Sequence, residues 1–159
     1  EQQMVYKQAG LSLLVALTFA GSAKADYEAN SSEGSWIEIR EPVENEGDTM
    51  LQLTCGPIGF VDVHLGGVFA IGKGEHEAVS ATLSAGKLTA TVKGLSIETS
   101  DFEMTGGIEL LTALRSNDPL FAVLTSGQEI SLQGSERPER FTLDAKVTSA
   151  LKAFLETCP

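Results

Sequence analysis

Between residues 36 and 99, apolar and polar residues alternate in short runs, and this pattern constrains the fold more than any other feature of the sequence. The runs end at glycine or proline, as at Gly56-Pro57 and Gly66-Gly67. Alternation with a period of two places one set of side chains on a buried face of a β-strand and the other set on the opposite face. The pattern therefore predicts an antiparallel sheet or a sandwich of short strands.

The predicted strands follow one another with turns of a few residues between them. In the strand over 60–65, Val61, Val63 and Leu65 share one face, whereas Asp62 and His64 lie on the other. The full set of predicted strands comprises residues 36–40, 50–55, 60–65, 68–71, 78–84, 87–92, 95–99, 120–124 and 129–132.

Two segments carry apolar residues at helical spacing instead. Ile108, Leu111 and Leu114 predict a mid-chain helix that ends near Pro119. A second helix begins after Asp144, which can cap its N-terminus. Its apolar stripe comprises Val147, Ala150, Leu151, Phe154, Leu155 and Cys158. The predicted fold class is therefore α+β, a mostly antiparallel β-sheet or sandwich with one mid-chain helix and one C-terminal helix.

The first 25 residues resemble a cleavable secretory signal preceded by upstream read-through over residues 1–3. Lys7 lies near the start, an apolar run spans 11–20, and Ala23-Lys24-Ala25 offers small residues for cleavage before Asp26. The apolar run is about half as long as a transmembrane helix, so we expect no membrane span. We therefore expect a signal peptide over 1–25, a flexible acidic leader over 26–34 and a single β-rich domain over 35–159, periplasmic or secreted.

The two cysteines, Cys55 and Cys158, can pair in an oxidising compartment. Their bond would join the second predicted strand to the C-terminal helix and close a loop of about 100 residues. In the chain-entropy model such a loop contributes up to roughly 4 to 5 kcal/mol. Because there is no C-x-x-C motif, the pair is predicted to be structural and not redox-active.

Acidic residues outnumber basic ones, with 22 Asp and Glu against 11 Lys and Arg and a formal net charge of −11. Nucleic acids and anionic bilayers would be repelled at long range, so neither is expected as a partner. We expect a protein partner, and a cationic one would be steered towards the acidic surface. The oligomeric state stays open.

The histidines His64 and His76 are the only two in the chain, and no nucleophile motif accompanies them. Asp62 lies near His64 on one side of a predicted strand, while Glu75 and Glu77 flank His76 in a later loop. These residue types can bind zinc. Two interpretations remain open, namely a metal-binding protein or metal-dependent enzyme at these five residues, and solvated side chains without a cofactor.

Three further residues are candidates for contact with a partner. Arg137 and Arg140 can offer guanidinium groups to a carboxylate or phosphate, or pair locally with Glu136 and Glu139. Trp36 is either a core residue or an exposed anchor for a partner.

The C-terminal half has a distinctive order of segments, namely 108–115, 121–124, 130–135 and then Ala150-Leu151 ahead of Cys158. In this order it resembles the small secreted bacterial proteins of the invasion-associated locus B type. The resemblance implies a periplasmic β-rich domain without an established catalytic site. Together with the missing nucleophile motif, it favours a non-catalytic secreted or periplasmic binding protein, such as an inhibitor or an envelope-associated factor, which needs no cofactor.

Overall fold

The computed structural model describes residues 27–32, 35–42, 48–100, 102–135 and 137–158, so the predicted signal peptide lies outside the described residues. The described parts of the chain form nine strands and three helices. In chain order these are β1 (Glu28–Ser32), β2 (Trp36–Arg40), β3 (Thr49–Cys55), β4 (Phe60–Gly67), β5 (Glu75–Ala85), β6 (Leu88–Glu98), α1 (Phe102–Thr105), β7 (Ile108–Arg115), α2 (Pro119–Leu124), β8 (Glu129–Gln133), β9 (Glu139–Thr142) and α3 (Ala145–Thr157).

All nine strands belong to one antiparallel sheet in the order β1-β2-β3-β4-β7-β6-β5-β8-β9. The sheet is open and curled, and it is not divided into the two layers of a sandwich. Its ends approach each other because Tyr27, just before β1, packs edge-on against Phe141 in β9 at 6.0 Å between ring centroids. Phe141 also stacks on Phe69 at 5.5 Å. The predicted antiparallel sheet is thus confirmed.

The core lies on one face of this sheet and is closed by two of the helices. Val61, Val63 and Leu65 are fully buried, as the alternation in β4 predicts. Helix α2 packs on β5 and β6, and α3 packs on β1 and β2. Burying apolar side chains between sheet and helices supplies the main driving force for folding.

The segment from Ile108 to Arg115 is strand β7, so the predicted mid-chain helix there is wrong. Leu110 faces the core, while Glu109 on the opposite face is also buried. Since Leu111, on the same face as Glu109, is apolar as well, β7 lacks the clean alternation that identifies a half-buried strand. The apolar residues of β7 then resemble a helical repeat.

The mid-chain helix that does form is α2, over residues predicted to be a strand. Asp118 caps it by accepting a hydrogen bond from the Leu120 N–H at 2.9 Å, and Pro119 occupies its first turn. Asp followed by Pro is a favoured start of a helix. The Asp118-Pro119 pair therefore begins a helix, whereas the sequence pattern had assigned it to a helix end.

Two other segments differ from their predictions. Glu28–Ser32, expected to belong to a flexible leader, pairs with β2 as strand β1, and the neighbouring Tyr27 is buried. Burial raises the pKa of the Tyr27 hydroxyl to about 12, with smaller contributions from Glu41 and Glu139. Residues 68–71, expected to be a strand, form none, because β4 itself runs on through Gly67.

The C-terminal helix and the disulfide are confirmed. Asp144 caps α3 by accepting a hydrogen bond from the Val147 N–H at 2.8 Å. Cys158 at the end of α3 is bonded to Cys55 at the end of β3, with 5.4 Å between their Cα atoms. The bond fastens α3 to the sheet. Across the described residues, no helix has the length and apolar character to span a bilayer.

Candidate functional site

The antiparallel register aligns one row of side chains across five neighbouring strands of the sheet. The row consists of Glu38, Gln52, His64, Leu111 and Leu95, in the order β2, β3, β4, β7, β6. Their neighbours along each strand point into the core, so this row lies on the opposite face, which we call the outer face. The row is acidic and polar on β2 to β4 and apolar on β7 and β6.

A concave pocket of about 520 Å³ lies on the outer face. Its wall contains three carboxylates, one imidazole, hydroxyl groups and one large apolar side chain. The lining residues are Glu38, Thr49, Gln52, His64, Ile97, Glu98, Thr99, Ser100 and Glu109. We call it the outer-face pocket.

A charged pair lies at the wall of this pocket. The Nδ1 atom of His64 and the Oε1 atom of Glu109 are 2.7 Å apart, and only 9% of the Glu109 surface is exposed. The hydrogen bond to Glu109 raises the pKa of the His64 imidazole; partial burial opposes that shift, and the charges of Glu109 and Asp62 add to it. The His64 imidazole therefore keeps its proton to a higher pH than a solvated histidine does.

Glycine at position 66 makes room for this pair. Gly66 lies opposite Glu109 in the β4–β7 register, and its φ is +141°. A Cβ atom there would lie 2.7 Å from the Glu109 Cα and 2.6 Å from the Ile108 carbonyl oxygen. Any other residue would push β7 away from β4. Glu109 is opposite Gly66 and therefore diagonal to His64, two residues earlier on β4, and Gly66 allows it to come close to that histidine.

The wall across the pocket is held by a second hydrogen bond. The Thr49 hydroxyl donates to Oε1 of Glu38, joining β3 to β2. The adjoining loop is held by the Thr99 hydroxyl, which donates to the Gly107 carbonyl at 3.2 Å. The Glu38 carboxylate and the loop after β6 thus have defined positions around the pocket.

In the loop that carries the predicted metal ligands Glu75, His76 and Glu77, the Glu77 carboxylate is bonded to the backbone of the loop itself. Glu77 accepts hydrogen bonds from the backbone N–H groups of Lys73 and Glu75, the latter at 2.9 Å. The pKa of the Glu77 carboxyl is lowered, first by the Lys73 N–H. His76 is exposed and has a φ of +60° at the bulge that opens β5. The Glu77 carboxylate therefore holds the loop closed.

The five residues predicted to bind metal do not share one site. Asp62 and His64 lie on the outer face as predicted, but His64 alone of the five lines the outer-face pocket. In the part of the chain that the structure describes, no three His, Cys, Asp or Glu side chains are grouped to hold a metal ion. Metal binding stays a prediction.

The residues predicted to contact a partner also lie apart. Trp36 is half-buried on the outer face, in register with Thr54, but it does not line the pocket. Arg140 pairs across the sheet with Glu129 at 3.3 Å, and both are exposed. Arg137 is exposed beside a separate pocket of about 210 Å³.

Reasoning from the sequence missed most of the outer-face pocket. The apolar spacing over 108–115 predicts a helix, and a helix would not bring Glu109 beside His64. If 108–115 is taken as a strand, Glu109 falls on the face opposite Leu110, the same face as His64. Glu38 follows the same rule in β2, because it lies between the buried residues Ile37 and Ile39.

Comparisons with protein-family models, with curated proteins and with solved structures gave no match to this chain. The resemblance to the invasion-associated locus B proteins therefore stays a prediction. The function has to be argued from the outer-face pocket itself.

Proposed function

We propose that this protein is a non-catalytic binding protein of the periplasm or the cell exterior, and that it contacts a protein partner through the outer-face pocket and the apolar residues beside it. The observation that carries the proposal is the junction of the partly buried His64–Glu109 pair with apolar side chains, one of which is exposed. Leu95, which is 47% exposed, lies in register with Leu111, next to His64. Protein interfaces combine apolar contact with polar groups in this way.

The contacts of His64 support binding over catalysis. In a hydrolase with this pair, Glu109 would orient His64 and the free imidazole nitrogen would activate a hydroxyl or thiol. Among the described residues, no serine, threonine or cysteine side chain forms a hydrogen bond with His64. The Thr49 hydroxyl of the same pocket already donates to Glu38. In the described residues the pocket therefore holds an imidazole–carboxylate pair, but no hydroxyl or thiol is paired with the imidazole as a nucleophile for acyl transfer would be.

The disulfide supports a location outside the cytosol. Bonds such as Cys55–Cys158 persist in the periplasm and outside the cell, whereas cytosolic thiols are kept reduced. The proposal thus places the partner in an oxidising compartment as well.

Site-specific photo-crosslinking tests this function. A photoreactive amino acid at Leu95 is compared with the same amino acid at Leu88, which lies on the same strand, is similarly exposed at 39% and is remote from the pocket. Each oxidised full-length protein is irradiated with envelope and secreted fractions of the source organism. We expect one defined protein adduct at Leu95 that is absent at Leu88. Equal adducts at both positions, or none at Leu95, would refute the proposal.

A metal measurement on the same preparations tests the alternative function. After dialysis with zinc, the bound metal is quantified in the wild-type protein and in His64→Ala and His76→Ala. We expect no stoichiometric zinc in any of them. One zinc ion per chain that is lost in His64→Ala would favour a metal-binding protein instead.

A further inference from the structure

One oxygen of a buried carboxylate in the outer-face pocket has no protein donor. Glu109 is about nine-tenths buried, and its Oε1 atom is paired with His64. Within the described residues, no side chain or backbone group donates to its Oε2 atom. This oxygen is absent from the buried polar atoms that lack a partner in the described residues, so it reaches water through the pocket. Since Glu109 lines the pocket, a bound molecule can supply this donor.

The charges around the pocket indicate which kind of donor fits. Glu38, Glu98 and Glu109 line it, and no lysine or arginine does. Arg40 on β2, Lys93 on β6 and Arg115 on β7 belong to the outer face but lie outside the lining, and the Arg115 guanidinium lies 5.6 Å from the Phe60 ring centroid. When it is protonated, His64 offsets one of the three carboxylates. The pocket and the chain, with its net charge of −11, therefore favour a cationic ligand.

The apolar side of the pocket indicates that this cation is carried on an aliphatic chain. Ile97 lines the wall, in register with Glu109, and Leu95 lies two residues before it on the same strand and face. Lysine and arginine side chains bury their methylene groups on such surfaces while their charged ends reach polar groups. Arginine fits a partly desolvated carboxylate better, because its guanidinium is less strongly hydrated and donates in a planar fork.

We propose that the outer-face pocket receives an arginine side chain of the partner protein. Its guanidinium donates to the free oxygen of Glu109 and faces Glu38 and Glu98 at the rim, and its methylene groups pack on Ile97 and Leu95. This inference rests on the proposed binding function and names the chemistry that the pocket selects.

A peptide titration tests the selection directly. The probe is the blocked pentapeptide Ala-Leu-Arg-Leu-Ala, and the controls carry lysine or the uncharged isostere citrulline in place of arginine. Binding to the oxidised protein is followed by NMR at the His64 imidazole and the Leu95 and Ile97 methyl groups. We expect shifts at these groups, and binding of the citrulline peptide weakened about tenfold or more by the loss of charge-assisted hydrogen bonds. Equal binding of the citrulline peptide would overturn the proposal, and equal binding of the lysine peptide would overturn the choice of arginine.

Variants of matched charge locate the contact. Glu109→Gln keeps the shape of the side chain, and we expect it to weaken arginine binding about tenfold. Glu156→Gln, on α3 and outside the pocket lining, makes the same change in net charge and should alter binding less than about twofold. Glu98→Gln, at the exposed rim, should weaken binding about two- to threefold even if Glu109→Gln fails to fold. Identical affinities in Glu98→Gln, Glu156→Gln and the wild type would place the arginine elsewhere.

The photo-crosslinking experiment and the peptide titration can give negative results independently of each other. A protein adduct confined to Leu95, together with no preference for arginine over citrulline, would leave the binding function standing and remove the arginine assignment. Arginine selection at Glu109 with no adduct at Leu95 would remove the protein partner and keep the pocket as a cation site.

Discussion

The pairing of His64 with Glu109 should stabilise the fold by an amount that depends on pH. The Nδ1 atom of His64 and the Oε1 atom of Glu109 are 2.7 Å apart, and the side chains of His64 and Glu109 are 28% and 12% exposed, respectively. At this burial a hydrogen bond between charged groups contributes about 1.5 to 3 kcal/mol, whereas a neutral one contributes about 1 kcal/mol. A double-mutant cycle of His64→Ala, Glu109→Ala and the double variant isolates this coupling.

The direction of the pH effect follows from the pKa of His64, which is raised above its ordinary value of 6.5. The folded state binds the proton more tightly than the unfolded state, so the extra stabilisation is fully present below pH 6.5. It is lost as the pH rises through the folded pKa. Besides Glu109, Asp62 on β4 adds to the raised pKa, and Glu38 stands two strands away in the same row.

Urea unfolding with the disulfide intact measures the cycle at pH 6 and pH 9. We expect a coupling of about 2 kcal/mol at pH 6 that falls towards about 1 kcal/mol at pH 9. The exposed pair Arg140–Glu129, with side chains 68% and 59% exposed, is the control and should couple by less than about 1 kcal/mol at both values. A His64–Glu109 coupling that is no larger than the control, or that grows with pH, would show that the two side chains do not form a stabilising charge-assisted hydrogen bond.

Three other changes have expected outcomes, each measured by chemical or thermal unfolding. Removing the disulfide in a Cys55→Ser, Cys158→Ser variant should lower the free energy of unfolding by up to about 4 to 5 kcal/mol, since the cysteines are 103 residues apart; a loss below about 1 kcal/mol would contradict this. Asp118→Ala should cost about 1 kcal/mol by uncapping α2, with Asp118→Asn close to wild type, and equal losses in both would speak against capping. Gly67→Ala should lower the free energy of unfolding by about 2 kcal/mol or more, because the new Cβ would lie 2.1 Å from the Thr49 carbonyl oxygen and the φ of residue 67 is +73°. An unchanged free energy of unfolding would show that β3 and β4 can separate there at no cost.

The sheet could be predicted where its strands are covered on one face only. In β2, β3 and β4 the apolar side chains alternate with polar ones, and the structure follows that alternation. The pattern fails in β7, where the buried Leu110 faces the core while the half-buried Leu111 lies on the outer face, so apolar residues occur on both faces. It also fails in β1, whose polar residues become a strand because the edge of β2 offers them backbone hydrogen bonds.

The candidate site could be predicted only in part for the same reason. The alternation in β4 predicts that His64 lies on the outer face, but its partner Glu109 lies 45 residues away on a strand whose apolar spacing predicts a helix. Their contact depends on the order β3-β4-β7-β6, which brings distant segments together. Local periodicity carries no information about that order.

The proposed binding function requires a partner to bind at the outer-face pocket through Glu109. The most direct test is the yield of the Leu95 photo-adduct in the Glu109→Gln background, with Glu156→Gln as the control of equal charge. We predict that the yield falls about tenfold in Glu109→Gln and stays near wild type in Glu156→Gln. An undiminished adduct in folded Glu109→Gln would show that the partner does not use this pocket.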